Sequence, residues 1–185
     1  MNNTEAIVEI KKIIAPEVIK TMIEYADKHC VKNLLIYDGK KEKLNKDHRN
    51  VKGVSLKPKS QEHTLVLSEI ERVYTFYKAK FPFMRSNQID QIDVLKYEKG
   101  GHFNLHVDYV THLSRSLSII INLNEDYEGG DLVFTDQKKI IVKRSSLKAG
   151  DVVFFPSNFL YPHLIEPVTN GTRYSIVSAP QFVHL

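Results

Sequence analysis

Tyr97-Glu98-Lys99-Gly100-Gly101-His102-Phe103-Asn104-Leu105-His106-Val107-Asp108 is the stretch on which the fold of this 185-residue chain turns. Phe103, Leu105, Val107 and Tyr109 are apolar or aromatic, and His102, Asn104, His106 and Asp108 between them are polar. Successive side chains of an extended strand point to opposite faces. A period of two therefore predicts a strand over 102–109 with one polar and one apolar side. On the polar side His106 and Asp108 stand at i and i+2. An imidazole and a carboxylate so placed project side by side and can share one cation.

A third ligand has to come from elsewhere, and His163, in Tyr161-Pro162-His163-Leu164, is the candidate. Two imidazoles and one carboxylate on one side of a metal, with the other positions open, form the donor set of non-haem Fe(II) oxygenases. Taken alone, His-x-Asp on a strand is more commonly a half-exposed ion pair. Arg173 changes the balance. In Arg173-Tyr174-Ser175 the alternation puts Arg173 and Ser175 on one face. A guanidinium aimed into an apolar interior is costly unless it meets an anion, and its planar fork suits a carboxylate. A metal triad beside such an arginine points to a co-substrate that carries a carboxylate.

Four motifs in order carry a family resemblance. They are Tyr97, Gly101, Phe103, His106 and Asp108; Glu128-Gly129-Gly130-Asp131-Leu132; Gly150-Asp151-Val152-Val153; and His163 followed by Pro167-Val168, Gly171 and Arg173. Together they resemble the prolyl 4-hydroxylase branch of the Fe(II)/2-oxoglutarate dioxygenases, in particular its small bacterial and phage hydroxylases. The resemblance covers residues 88–183 strongly and the N-terminal part loosely. It implies His106, Asp108 and His163 as ligands of Fe(2+). It gives Arg173 the distal carboxylate of 2-oxoglutarate, with Ser175 completing an Arg-x-Ser pattern. Tyr97 and Ser118 fall where relatives place hydroxyl donors to that co-substrate, and Asn122 shares a strand face with Ser118. Prolyl 4-hydroxylases often have Lys where this chain has Arg173, which leaves the prime substrate more open than the co-substrate.

The reaction so implied consumes O2 and 2-oxoglutarate, releases succinate and CO2, and hydroxylates a substrate C–H bond, with ascorbate as a supporting reductant. Asp108 favours hydroxylation over halogenation, because halogenating relatives lack that carboxylate. The substrate implied is a protein or peptide containing proline. One rival is a nucleic-acid demethylase of the same superfamily, but its second Arg is missing from Tyr174-Ser175-Ile176-Val177-Ser178-Ala179-Pro180-Gln181. Another is a non-enzymatic jelly-roll binding module, which would require neither iron nor Arg173.

Composition is that of an ordinary globular domain. The length suits one compact unit: a support region over 1–87 and a dioxygenase domain over 88–185. A single cysteine excludes an internal disulfide. No apolar run reaches the roughly 20 residues of a membrane span, and no secretory signal opens the chain, so a cytoplasmic location is expected. The net charge of +4 is concentrated in the lysine-rich residues 40–59. Such an arm attracts acidic partners or nucleic acid, although it lacks the aromatics that stack on bases.

Along the chain, residues 6–14 read as a strand. Pro16–His29 reads as an amphipathic helix, 34–37 as a strand, and Gln61–Lys80 as a second helix ended by Phe81-Pro82. Residues 38–60 read as a long basic loop, which in the resembled family closes over substrate. Short strands are predicted at 89–97, 102–109, 116–123, 131–134, 139–143, 151–155, 161–165 and 172–178, with a hairpin at Asn170-Gly171. The expected fold class is α+β: a double-stranded β-helix (jelly-roll) core with N-terminal helices packed outside. His102 reads as structural, His112 as a residue of the substrate entrance, and His29, His48, His63 and His184 as surface residues.

Overall fold

The structure, a computed structural model, describes residues 3–37, 41–84, 86–108 and 115–182. A short 3-10 turn (Asn3–Ala6) opens the chain. The N-terminal part supplies β1 (Val8–Ile10), β2 (Ile36–Tyr37), β3 (Glu42–Lys43), β4 (Arg49–Asn50) and β5 (Lys52–Ser55). It also supplies helices α1 (Pro16–His29) and α2 (Gln61–Lys80). Then follow β6 (Ser86–Tyr97), β7 (His102–His106), β8 (Leu117–Asn122), β9 (Glu128–Gly129) and β10 (Leu132–Thr135). The last strands are β11 (Ile141–Ser145), β12 (Val152–Pro156), β13 (His163–Ile165), β14 (Val168–Asn170) and β15 (Arg173–Phe182).

The strands form a jelly roll. Its six-stranded sheet runs β1-β12-β8-β15-β6-β5 and its five-stranded sheet runs β11-β10-β13-β7-β4. The pairings within both are antiparallel. Three strands from residues 1–87, namely β1, β4 and β5, therefore lie in the main sheets beside those of 88–185.

The alternation of side chains divides the core into two layers. Ile119 and Ile121 of β8 and Val152 and Phe154 of β12 face the helices, where Val18 and Met22 of α1 and Ile70, Val73, Tyr74 and Tyr77 of α2 cover them. Ile120, Val153 and Phe155 face the other way, toward Leu132, Phe134 and Ile165 of the opposite sheet. This is why β8 reads as an unbroken apolar run: both of its sides are covered. Each such side chain, fully buried, contributes about 1.5–3 kcal/mol. Pro16 stands in the first turn of α1, where its missing N–H costs nothing. Ser60 caps α2 by accepting the backbone N–H of His63 at 3.2 Å. Among the described residues no helix is long and apolar enough to cross a membrane.

Several expected boundaries need correction. The strand expected over 6–14 is only Val8–Ile10, because Lys12 takes a left-handed turn (φ 49°) and Ile13 and Ile14 then donate to the Gly150 carbonyl. The expected loop 38–60 contains β3, β4 and β5; β4 borrows its hydrogen-bonding edge from β7, and β5 borrows its edge from β6. Asn170-Gly171 is a turn, but not a hairpin turn between paired neighbours: β14 pairs with β9, and β15 pairs with β6 and β8.

Glu9 on β1 ties the seam between the two sheets. Its carboxylate receives Lys11 Nζ at 2.8 Å, and Lys143 Nζ at 3.0 Å and Ser145 Oγ at 2.5 Å from β11. Burial alone would raise its pKa, but the hydrogen bonds from Lys11, Ser145 and Lys143 outweigh that and hold it at about 2. A carboxyl depressed on folding stabilises the protein above the unfolded value near 4.5 and loses that contribution as pH falls toward 2. In acid titrations followed by circular dichroism, Glu9→Gln should start less stable at pH 7 and lose less than wild type between pH 4.5 and 2. Parallel acid curves for the two proteins would refute this role.

Candidate active site

His106 ends β7 and His163 opens β13, and the two are direct cross-strand partners. Their ring centroids lie 4.3 Å apart. Asp108, two residues beyond the end of β7, sits between them. Its Oδ1 is 3.4 Å from His106 Nε2 and its Oδ2 is 3.6 Å from His163 Nε2. One ligand atom from each of the three falls within 4.8 Å of the others, which fits a single cation.

The imidazoles are held in one orientation. His106 Nδ1 lies 2.7 Å from the Asn104 carbonyl and His163 Nδ1 lies 3.1 Å from the Tyr161 carbonyl. A carbonyl only accepts, so each Nδ1 carries the proton and each Nε2 lone pair faces the cluster. His163 is 2% exposed and packs edge-on against Phe155. Burial pushes its pKa down to about 4, against the opposing pull of Asp108. Burial alone would raise Asp108, but the neighbouring His163 and His106 and a hydrogen bond from Ser118 together hold it well below the usual carboxylate range. Near neutral pH the cluster thus presents a neutral imidazole and an ionised carboxylate, the forms that bind metal.

The alternation expected over 102–109 fails within the strand. The strand stops at His106, and two steps along β13 face three along β7, so β7 carries a bulge between Phe103 and His106. The extra residue turns Phe103 to the same side as His106, and the two rings stack at 3.5 Å and 14°.

These groups line a cavity of about 470 Å³, within the range of small-ligand sites. Arg173 lies deeper in it, 1% exposed. Its Nη1 donates to Ser175 Oγ at 3.3 Å and its guanidinium lies 5.2 Å from the Tyr97 ring. Its Nε and Nη2 are buried with no partner among the described residues. Gly130 makes room for this side chain: a Cβ there would stand 3.0 Å from Arg173 Cδ, and the residue's φ of +67° already suits glycine. Burial keeps the Tyr97 phenol protonated, so it remains a donor in the cavity wall.

Ser118, expected as a co-substrate contact, lines the cavity, and Asn122 does not. The Ser118 hydroxyl donates to Asp108 Oδ2 at 2.5 Å and shares a 2.8 Å hydrogen bond with Ser157 Oγ. Asn122 stays out of the cavity wall; its Nδ2 donates to the Asn124 and Leu147 carbonyls. Its strand face is shared with Ser118, but its amide nitrogen is taken by those carbonyls and its oxygen accepts the Tyr127 hydroxyl at 3.4 Å. His102 is structural as expected, its ring nitrogens on the Gly100 and Asp47 carbonyls. His48, expected at the surface, lines the cavity edge-on to Phe103 at 5.7 Å. Its neighbour Arg49 lines the cavity too, and sequence reasoning missed both because β4 had no strand signal of its own. His112 and His184 lie outside the described residues.

The donor set, the orphaned guanidinium nitrogens and the glycine that accommodates them fit ferrous iron with a 2-oxo acid. Comparisons with known proteins agree. Residues 92–178 match the 2OG-Fe(II) oxygenase superfamily. The chain is similar to a "PKHD-type hydroxylase" of Synechococcus sp. (strain JA-2-3B'a(2-13)), at 30% identity over 74% of this chain and 60% of that protein. The chain spans between 37% and 60% of the length of such curated relatives. It is also similar in structure to a Pseudomonas putida prolyl-4-hydroxylase (TM-score 0.76, 15% identity, 97% of this chain and 94% of that one). A third likeness is to a Trichoplax adhaerens prolyl hydroxylase in complex with a hypoxia inducible factor peptide fragment (TM-score 0.80, 14% identity, 97% and 84%). At these identities the structural likeness establishes the fold alone.

Proposed function

We propose that this chain, whose residues 92–178 match the 2OG-Fe(II) oxygenase superfamily, is an Fe(II)- and 2-oxoglutarate-dependent dioxygenase that hydroxylates peptidyl proline. The observation that carries the reading is the Arg173 guanidinium, buried without an anion in the same cavity as the three ligand atoms. A carboxylate arriving there would pair with two nitrogens that now have no partner.

In this reading His106, Asp108 and His163 hold the metal, and Ser175 and Tyr97 flank the carboxylate on Arg173. Bound in that site, Fe(II) would supply the redox chemistry by which O2 oxidises both the 2-oxo acid, to succinate and CO2, and a substrate C–H bond, with one oxygen atom going to each. The protein's own contribution is orientation and exclusion of water. Arg173 fixes one end of the co-substrate. The Asn104 and Tyr161 carbonyls hold the two imidazoles, and Ser118 holds the carboxylate between them. Phe103, Ile120 and Ile165 make the wall dry. His48 and Arg49 also line the cavity, which supports a covering role for the basic arm. The peptide bound to the Trichoplax hydroxylase, a protein of the same fold, supports a peptide substrate.

The test is mass spectrometry of proline-containing peptides incubated with the protein, Fe(II), 2-oxoglutarate and ascorbate. A gain of one oxygen on proline, matched by succinate, is expected. Succinate with no oxygen on any proline would refute the substrate and leave the enzyme class standing. Ser118→Ala should weaken metal binding by about 10- to 100-fold while the melting curve holds, because it frees one carboxylate oxygen of the ligand it orients. A change confined to 2-oxoglutarate affinity would instead return Ser118 to the co-substrate.

A further inference from the structure

Among the described residues, the buried side-chain polar atoms without a hydrogen-bond partner are Arg49 Nε, Arg173 Nε and Nη2, and Ser178 Oγ. All three residues line the one cavity. Interiors leave such atoms unpaired rarely, and a cavity in which they converge is one whose ligand is polar. Arg173 is accounted for by the co-substrate. Arg49 is not.

Arg49 sits on β4 and reaches the cavity across Phe103, its guanidinium carbon 4.6 Å from that ring. Phe103 in turn stacks on the His106 imidazole. One nitrogen, Nη1, donates to the Leu35 carbonyl at 3.3 Å, which anchors the fork to the segment that precedes the arm. No carboxylate pairs with it among the described residues. Asp93, in the same cavity wall, is occupied by Ser55 Oγ at 2.6 Å and by Gln91 Nε2 at 2.9 and 3.0 Å. Asp108 is occupied by Ser118 and the two imidazoles. A 2-oxo dicarboxylic acid has two carboxylates, one for Arg173 and one, with its keto oxygen, for the open metal positions. Neither is left for Arg49.

We propose that Arg49 is a specificity residue that receives a carboxylate of the prime substrate. The substrate class is thereby a peptide with a carboxylate near the hydroxylated residue, either an acidic side chain or a free C-terminus. This rests on the dioxygenase reading above and extends it. The geometry suits the role: a guanidinium over an aromatic ring, one nitrogen tied to backbone and another buried without a partner among the described residues, is pre-organised for an oxyanion. Its position on the arm places substrate recognition and cavity closure in one segment.

The experiment uses the full chain loaded with Zn(II) in place of Fe(II) and saturated with 2-oxoglutarate. Labelled peptides Gly-Pro-Asp-Gly amide, Gly-Pro-Asn-Gly amide and their Ala-for-Pro counterparts are titrated by fluorescence anisotropy, together with Gly-Pro as free acid and as amide. At least one acid should bind about tenfold more tightly than its matched amide. Arg49→Gln should erase that difference while 2-oxoglutarate affinity, measured by calorimetry, stays within about twofold; Arg49→Lys, which keeps the charge and loses the fork, should fall between. The aspartate pair and the C-terminal pair separate the two sources of the carboxylate. Acids and amides that bind alike, or fail to bind, would overturn the proposal. So would an Arg49→Gln protein that loses 2-oxoglutarate tenfold, since Arg49 would then serve the co-substrate. Preference for Pro over Ala peptides tests the proline substrate separately, whatever the acids and amides do.

Discussion

Asp108→Ala should lower metal affinity by more than about 100-fold and bring succinate formation to background, a larger loss than any orienting residue would cause. Asp108 is the only carboxylate of the cluster and lies between both imidazoles. Without it only the two imidazoles remain, and they offer a dication no negative charge. Asp108→Asn keeps the shape and the Ser118 hydrogen bond but not the charge, and should fall almost as far. His106→Ala should behave like Asp108→Ala. Calorimetric titration with Fe(II) under anaerobic conditions, or with Zn(II), separates the outcomes. If Asp108→Ala still binds one metal at wild-type affinity, these three residues are not the metal site.

Arg173→Leu should raise the KM for 2-oxoglutarate by about 30-fold or more, because truncating one partner of a buried charge pair costs roughly 2–5 kcal/mol. The same substitution should raise the melting temperature of the ligand-free protein by several degrees. A buried guanidinium with two unpaired nitrogens destabilises the empty fold, and each unsatisfied buried donor costs about 1–3 kcal/mol. Saturating 2-oxoglutarate, in the presence of metal, should stabilise wild type and leave Arg173→Leu unmoved. A ligand-free variant that melts below wild type would show that the guanidinium is already satisfied by Tyr97 and Ser175.

The parts of this molecule that could be read from its sequence are those governed by short-range rules. Pro16 and Phe81-Pro82 mark helix ends through missing donors and fixed torsions, and α1 and α2 have the bounds those residues imply. The spacing of His106, Asp108, His163 and Arg173 anticipates a cluster and a buried cation, and the structure brings all four to one cavity. The parts that could not be read depend on a partner strand. β4 and β5 are too short and too polar to signal strands, and exist because β7 and β6 offer free edges. The β7 bulge is invisible in a pattern of alternating residue types, because the register of β13 creates it. The hydrogen bond from Ser118 to Asp108, and those from Asn122 to two backbone carbonyls, are contacts that no spacing encodes. His48 and Arg49 were hidden for the same reason as their strand.

The unpaired guanidinium in the barrel has a consequence for the lifetime of the protein in a cell. A fold that one metabolite completes gains stability in proportion to the logarithm of that metabolite's concentration over its Kd. Proteases that sample opened molecules follow that equilibrium when opening is fast. On the proposed reading, starvation that drains the 2-oxo acid pool would do more than slow turnover of substrate: it would shorten the half-life of the polypeptide, so that abundance as well as rate follows carbon supply. A pulse–chase comparison of wild type with Arg173→Leu, in fed and starved cells, would read this directly as a degradation rate that responds to nutrition in one protein and is indifferent to it in the other.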